Sequence, residues 1–194
     1  MDHPFISQAQ QAQLGTILLS HPVLGEVLRR APALELKDYC VGAGCICQSV
    51  WNTQDGLPPL HGISDVDFVY FDPDLSYEKE DRVIRRVQEA FGDLPLKFDV
   101  KNQARVHLWY RDHFGTDIAP YHSLEAAIAT WPTTATAVGA RLEGASLKII
   151  APFGLSDLFS RIVRPNKAQI TEAIYRSKWE KWQKRWDGLT VIPW

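Results

Sequence analysis

The chain has 194 residues, 45% of them hydrophobic, with a formal net charge of -2 and a sequence pI of about 6.3. That is enough apolar material for one domain with a real core, and it excludes a disordered chain and a globally basic nucleic-acid surface. No run approaches the roughly 18 apolar residues of a membrane span, and Met1, Asp2, His3 and Pro4 lack the basic start and apolar centre of a secretory leader, so a cytoplasmic protein without membrane attachment is expected.

In chain order, Leu14, Ile17, Leu18, Val23, Leu24, Val27 and Leu28 recur at helical spacing between Gln8 and Arg30, broken at His21-Pro22, which predicts two short helices arranged as a lid. The stretch LKDYCVGAGCICQSVWN then runs from an apolar segment through Gly42-Ala43-Gly44 into a helical one: strand, glycine turn, helix. Cys40, Cys45 and Cys47, odd in number and without C-x-x-C spacing, read as reduced core residues. Two Pro and two Gly make Asn52 to Gly62 an irregular connection. A strand follows in ISDVDFVYFD, then an Asp72-Pro73-Asp74 turn and a helix capped by Ser76, with Val83, Ile84, Val87, Ala90 and Phe91 as its apolar stripe. Leu96 to Tyr110 reads as a second strand, bent or doubled near Asn102. Ser123 caps a short helix ending near Trp131, TATAVGARLEGASLKIIAP forms a hairpin around Glu143-Gly144, and GLSDLFSRIV and KAQITEAIYRSKWEKWQKRW are helical. The last segment carries Tyr175, Trp179, Trp182 and Trp186 on one helical face, a stripe expected to dock against the body, with Arg176, Lys178, Lys181, Lys184 and Arg185 as its solvated flank.

Chemistry concentrates on the two central strands. Residues two apart on a strand share a face about 6.5 Å apart, so Asp65 and Asp67 point together. Two carboxylates aimed at one spot resist burial unless a cation joins them, and hard oxygen donors suit Mg²⁺ or Mn²⁺. On the second strand, Lys97, Asp99, Lys101, Gln103, Arg105 and His107 alternate with the largely apolar Phe98, Val100, Val106 and Leu108. If the strands are neighbours, Asp99 becomes a third carboxylate over the same spot, and Lys97, Lys101, Arg105 and His107 offer donors to phosphate oxygens. Asp72 is the weaker third acid, because it lies at a turn on the order of 16 Å along the strand from Asp67. Gly42 and Gly44 let backbone N–H groups approach an anion at a helix start. The spacing is neither a Walker motif, since no G-K-[ST] follows, nor a dinucleotide fingerprint, since Cys47 stands where the third glycine belongs. Taken singly, each feature also fits a plainer reading: a solvated strand end, a ribbon with one wet face, an ordinary strand-to-helix turn.

Together, the order strand, glycine turn, helix, D-x-D strand, helix, single-acid strand resembles the nucleotidyltransferase superfamily with its polymerase-beta-like fold. The strings SDVDFVYFD, VKNQARVHLWY and APFGLSDLFSRIVRPN further resemble a family of small bacterial nucleotidyltransferase-like proteins over nearly the whole chain. The resemblance implies an α+β fold: a small mixed sheet flanked by helices, with a helical C-terminal extension. It implies one domain over 1–194, with a core at about 38–110 and helical and hairpin additions at 1–37 and 111–194. Asp65, Asp67 and Asp99 match the metal-binding and catalytic acids, with Mg²⁺ or Mn²⁺ as cofactor. Gly42 and Gly44 fall at the glycine motif, and Lys101 and Arg105 are the nucleotide-binding candidates beside it. Asn102, Arg164, Asn166 and Lys167 are further candidates. The implied activity moves a nucleoside monophosphate from a nucleoside triphosphate to an unidentified hydroxyl acceptor (a small molecule, an RNA end or a protein) and releases pyrophosphate. The chain departs from the superfamily at Gly42-Ala43-Gly44, where Gly-Ser or Gly-Gly is usual, and in the long Pro/Gly-rich gap before Asp65. Two alternatives stand beside it: a nucleotide-binding module without turnover, and a D-x-D glycosyltransferase.

Overall fold

The computed structural model describes residues 6–194, so the reading of Met1 to Pro4 lies outside the described residues. Helices α1 (Gln8–Ser20) and α2 (Leu24–Arg30) lead into strand β1 (Tyr39–Gly42), helix α3 (Gly44–Asp55) and strand β2 (Asp65–Tyr70). Helix α4 (Tyr77–Phe91), strand β3 (Lys97–Asn102) and helices α5 (Val106–Phe114) and α6 (Leu124–Ile128) follow. The hairpin β4 (Gly139–Glu143) and β5 (Ser146–Ile150), the single turn α7 (Ser156–Phe159), β6 (Ile162–Val163), α8 (Glu172–Gln183) and β7 (Thr190–Val191) complete the chain. The five-stranded sheet has the order β3-β2-β1-β4-β5, and β6 and β7 form a separate parallel pair. Only β2 and β3 run parallel in the main sheet, joined by α4; its other neighbours are antiparallel. The fold is thus α+β with a mixed sheet, and no helix among the described residues is long and apolar enough to cross a membrane.

The sheet has two unlike faces. On one, Tyr39 and Val41 of β1 and Val66, Phe68 and Tyr70 of β2 join the main core with Val87 and Phe91 of α4. Tyr39 stacks on Phe68 with ring centroids 5.5 Å apart, and Phe91 stacks on Phe98 of β3 at 4.9 Å. The other face carries a smaller cluster around Cys40, Val69, Leu124 and Ile128, and beyond it the side chains of Asp65, Asp67 and Asp99. Alternation along β2 and β3 therefore turns one sequence period into a greasy face and a chemical face.

Several sequence expectations change in the fold. The first two helices are not a lid: Leu14 and Leu18 of α1 and Leu24, Val27 and Leu28 of α2 are buried in the main core, and neither helix lines the cleft described below. The break between them is stabilised by His21, whose Nδ1 accepts from the backbone N–H groups of Val23 and Leu24. The irregular loop starts later than Asn52, because α3 continues to Asp55 and ends at Gly56 with φ 64°, where glycine is unstrained. The largest revision is at Leu96 to Tyr110, where β3 stops at Asn102 and α5 begins at Val106. Asn102 ends the strand: its amide Oδ1 accepts from Asp72 N and Ala104 N, and its Nδ2 donates to Asp72 O. GLSDLFSRIV likewise yields one helical turn and then strand β6, and the C-terminal helix is confined to Glu172–Gln183. The three cysteines are free and buried, as expected.

The aromatic stripe of the C-terminal region docks. Tyr175, Trp182 and Trp186 are buried and Trp179 is half-buried. Trp51 of α3 receives Trp182 and Trp186 edge-on, at centroid distances of 5.8 and 5.5 Å, and Trp186 Nε1 donates to Asn52 Oδ1 at 2.8 Å. Tyr175 places its hydroxyl 2.7 Å from the carbonyl oxygens of both Val163 and Ile192, tying α8 to the β6–β7 pair. Because Trp186 is 1% exposed, Trp186→Ala is expected to cost about 3–5 kcal/mol of stability, read from chemical denaturation. Trp179→Ala, on the half-buried edge of the stripe, is expected to cost clearly less.

Candidate active site

Register brings the acids together. Asp67 of β2 lies directly opposite Asp99 of β3 in the parallel pair, Asp65 is opposite Lys97, and Gly42 of β1 flanks Asp67 on its other side. Cross-strand partners share a face, so Asp65, Asp67 and Asp99 all line one cleft, of about 960 Å³. Asp72 lies elsewhere: it pairs with Lys79 Nζ at 2.8 Å and accepts from Asp74 N inside the turn.

Burial and the neighbouring carboxylates of Asp65 and Asp99 push the Asp67 carboxyl up to about 7, against the opposing pull of Lys101 and Lys178. Lys101 Nζ is ion-paired with Asp99, and Ser64 Oγ donates to Asp65 Oδ1 at 2.7 Å. The donor set is carboxylate oxygen throughout, which suits a hard divalent cation. Gln48 adds an Oε1 that is buried without a partner among the described residues, on the same cleft wall. As the side chains stand, no three potential ligands among the described residues close around one point, and the Lys101 ammonium supplies positive charge at Asp99 instead. The residues fit such an ion by donor chemistry and shared face.

The turn beside the acids is strained. Ala43, between β1 and α3, has φ 59° and ψ -132°, a region that side chains rarely adopt and that costs on the order of 1–3 kcal/mol. Its N–H donates to Val138 O at 2.9 Å, holding it in place. Gly42 is required for a different reason: a Cβ there would lie 2.5 Å from the Trp131 ring. The turn delivers the N-terminus of α3, with its unpaired backbone N–H groups, to the cleft wall at Gly44.

Helix α8 forms the facing wall. Lys178, Lys181 and the following Arg185 line the cleft together with the acids; Lys181 and Arg185 are exposed, as expected of the stripe's flank, and Lys178 is half-buried. Burial lowers the Lys178 ammonium pKa, and Asp67 and Asp65 partly restore it. The cleft is also walled by Trp109, Tyr110 and Phe114 of α5 and by Tyr121, which bonds Gln169 just ahead of α8, while Trp131 lies against Gly42 beside the acids. The strand-like alternation that runs on to Leu108 masks the α5 residues, although Val106, Trp109, Tyr110 and Phe114 recur at helical spacing.

Of the other sequence candidates, Gly44 and Lys101 line the cleft and Gly42 adjoins it. Arg105 is corrected: it turns from the cleft into an almost buried ion pair with Glu80 of α4. The same Glu80 accepts from Asn102 N, so both residues fasten the end of β3. Asn166 donates to the carbonyls of Ala129 and Trp131, Arg164 pairs with Asp157, and Lys167 lies 5.0 Å over the Trp194 ring. None of Asn102, Arg105, Arg164, Asn166 and Lys167 lines the cleft.

Comparison with known proteins agrees with this geometry. A family described as nucleotidyltransferase matches residues 29–191 of the chain. No curated protein matches it. Among solved structures, the chain is similar to one described as "The NMR structure of the protein reveals a CCA-adding enzyme head domain", with 26% identity, 99% of each chain covered and a TM-score of 0.76.

The raised Asp67 pKa has a stability consequence. In the unfolded chain this carboxyl ionises near 4, in the native protein near 7. Between those values the native state holds a proton that the unfolded state has released, so stability falls as pH rises from about 4 to 7 and then levels. In chelator-treated protein, Asp67→Asn is expected to melt above the wild type at pH 8, by up to about 4 kcal/mol. That advantage shrinks towards pH 4, as followed by denaturation across the range.

Proposed function

The chain belongs to the nucleotidyltransferase family, and from that membership we propose that it transfers a nucleoside monophosphate from a nucleoside triphosphate to a hydroxyl acceptor, releasing pyrophosphate. The observation that carries this reading is the β2–β3 register, which puts Asp67 opposite Asp99 on the cleft face with Asp65 beside them. The glycosyltransferase alternative is set aside by family membership.

Asp65 and Asp67 would hold Mg²⁺ or Mn²⁺, with Asp99 as the third ligand. Bound there, the ion supplies Lewis-acid neutralisation of the charge that builds on the phosphate oxygens. The chain's own groups supply the rest. The N–H groups at the start of α3 bind phosphate oxygens through the helix dipole. Lys178 and Lys181, across the cleft, neutralise the departing pyrophosphate. Asp99, on the outer strand of the sheet, orients the acceptor hydroxyl and takes its proton on a carboxylate oxygen. Lys101 neutralises Asp99 in the free protein and is released to the phosphates when substrate enters.

The test is a thermal-shift panel of the four nucleoside triphosphates, each with and without Mg²⁺ or Mn²⁺. At a hundredfold excess over Kd, a ligand specific for the native state stabilises by about 2.7 kcal/mol. Such a shift is expected for at least one nucleotide, only with metal, and is lost in Asp67→Ala. With an acceptor supplied, Asp99→Asn is expected to lower pyrophosphate release about 100-fold or more, with nucleotide affinity much less affected. A wild-type protein that none of the four stabilises would overturn the proposal. Binding with no pyrophosphate release would favour a module that keeps the nucleotide and has lost turnover.

A further inference from the structure

Helix α8 presents a graded face along the cleft. Ala173, Ile174, Ser177, Lys178, Lys181 and Arg185 all line it, so the face passes from apolar to basic in the direction of the chain. The span from Ile174 to Lys181 is about 10 Å at the helical rise. The opposite wall follows the same order: Asp67 and Asp65 act on the Lys178 charge, whereas Tyr110 and Tyr121 bond Gln169 just ahead of α8, with Trp109 and Phe114 of α5 beside them on the cleft wall. One continuous cavity therefore offers charge compensation at one end and aromatic surface at the other. A ligand that fills it carries phosphates and metal at one end and a planar ring at the other.

The aromatic end is built for a ring with a polar edge. Tyr110 and Phe114 lie with centroids 4.5 Å apart, Trp109 is 6.3 Å from Tyr110, and Phe114 is 46% exposed. An aromatic ring left this open beside a cleft is a stacking surface for a base, whatever its identity, because every base has a π-face. Tyr121 Oη donates to Gln169 Oε1 at 2.6 Å and lies 2.9 Å from Thr130 Oγ1. This orients the Gln169 amide and leaves its NH₂ group without a protein partner among the described residues, on the cleft wall. An amide held in this way can read the acceptor atoms on a base edge.

We propose that the aromatic end, with Trp109 and Phe114 as stacking surface and Gln169 as edge reader, binds the nucleobase of the triphosphate. The proposal rests on the nucleotidyl-transfer reading above and adds to it the place and the residues of base recognition. It gives the helix face a single purpose: the basic end takes the phosphates, the acids lie under the α-phosphate, and the ring occupies the space between Ile174 and α5.

Titration calorimetry with Mg²⁺ tests it, comparing the best nucleoside triphosphate with inorganic tripolyphosphate, which has the phosphates and no base. The wild type is expected to bind the nucleotide more tightly. Trp109→Ala and Phe114→Ala, at half-buried and exposed positions, should weaken nucleotide binding about 5- to 100-fold while leaving tripolyphosphate unchanged. Lys181→Ala should weaken both ligands. Gln169→Leu should alter the ranking of the four nucleotides. Nucleotide affinity unchanged in both aromatic variants would overturn the base site while leaving nucleotidyl transfer standing. So would an equal loss of tripolyphosphate, which would mark a damaged cleft. A wild type that binds tripolyphosphate as tightly as every nucleotide would overturn it too. A wild type that binds none of them defeats both readings together.

Discussion

Three carboxylates on one face of two adjacent strands repel one another, and much of the surrounding structure answers that repulsion. The cost is written in Asp67, whose carboxyl is pushed up to about 7 by burial and by Asp65 and Asp99. Replacing any one of the three by an apolar residue would relieve it, and so would the proposed divalent cation, without the loss of a carboxylate. Lys101, paired with Asp99, and Lys178, half-buried and acting on Asp67, supply compensating positive charge within the chain. They soften the repulsion without removing it, and Asp67 still carries the cost as a raised pKa.

That balance depends on α8 being where it is, and α8 is held by aromatic packing at its C-terminal end. Trp182 and Trp186 meet Trp51 of α3, and the same helix α3 begins at the glycine turn beside Asp67. One helix therefore fixes both walls of the cleft: its N-terminus contributes dipole to the site, and its C-terminal half seats the element that brings the lysines. The Tyr175 hydroxyl adds a second anchor at the β6–β7 pair. Losing the tryptophan cluster would be felt at the acids through the displacement of Lys178 and Lys181.

The turn at Ala43 shows the same economy in backbone terms. Positive φ is usually left to glycine, yet here the glycines stand on either side and the alanine adopts it. Gly42 has no room for a side chain against Trp131, and Gly44 opens the helix. The strain is held by the Ala43 N–H bond to Val138 O, on the segment that leads into β4. The short turn places the start of α3 beside Asp67 because β1 and β2 are paired at Gly42 and Asp67.

What the sequence determined by itself was everything carried by period and spacing: the D-x-D pair on one face of β2, the alternation of β3, the helix break at His21-Pro22, the hairpin at Gly144 and the buried stripe of Tyr175, Trp182 and Trp186. These are local, because side-chain direction follows from backbone geometry over a few residues. The tertiary structure decided which elements meet. Only strand pairing made Asp99 the neighbour of Asp67, and only the docking of α8 brought Lys178 and Lys181 to the wall of the acids' cleft, since a base beside an aromatic stripe is equally suited to open solvent or to a facing acid. Polar and apolar residues alternate through β3 and into α5, a period that by itself puts Arg105 on a strand. The chain turns at Asn102, whose clamp joins residues 30 positions apart, and that long-range bond, invisible to any local period, moves Arg105 onto Glu80 and brings Trp109, Tyr110 and Phe114 to the cleft.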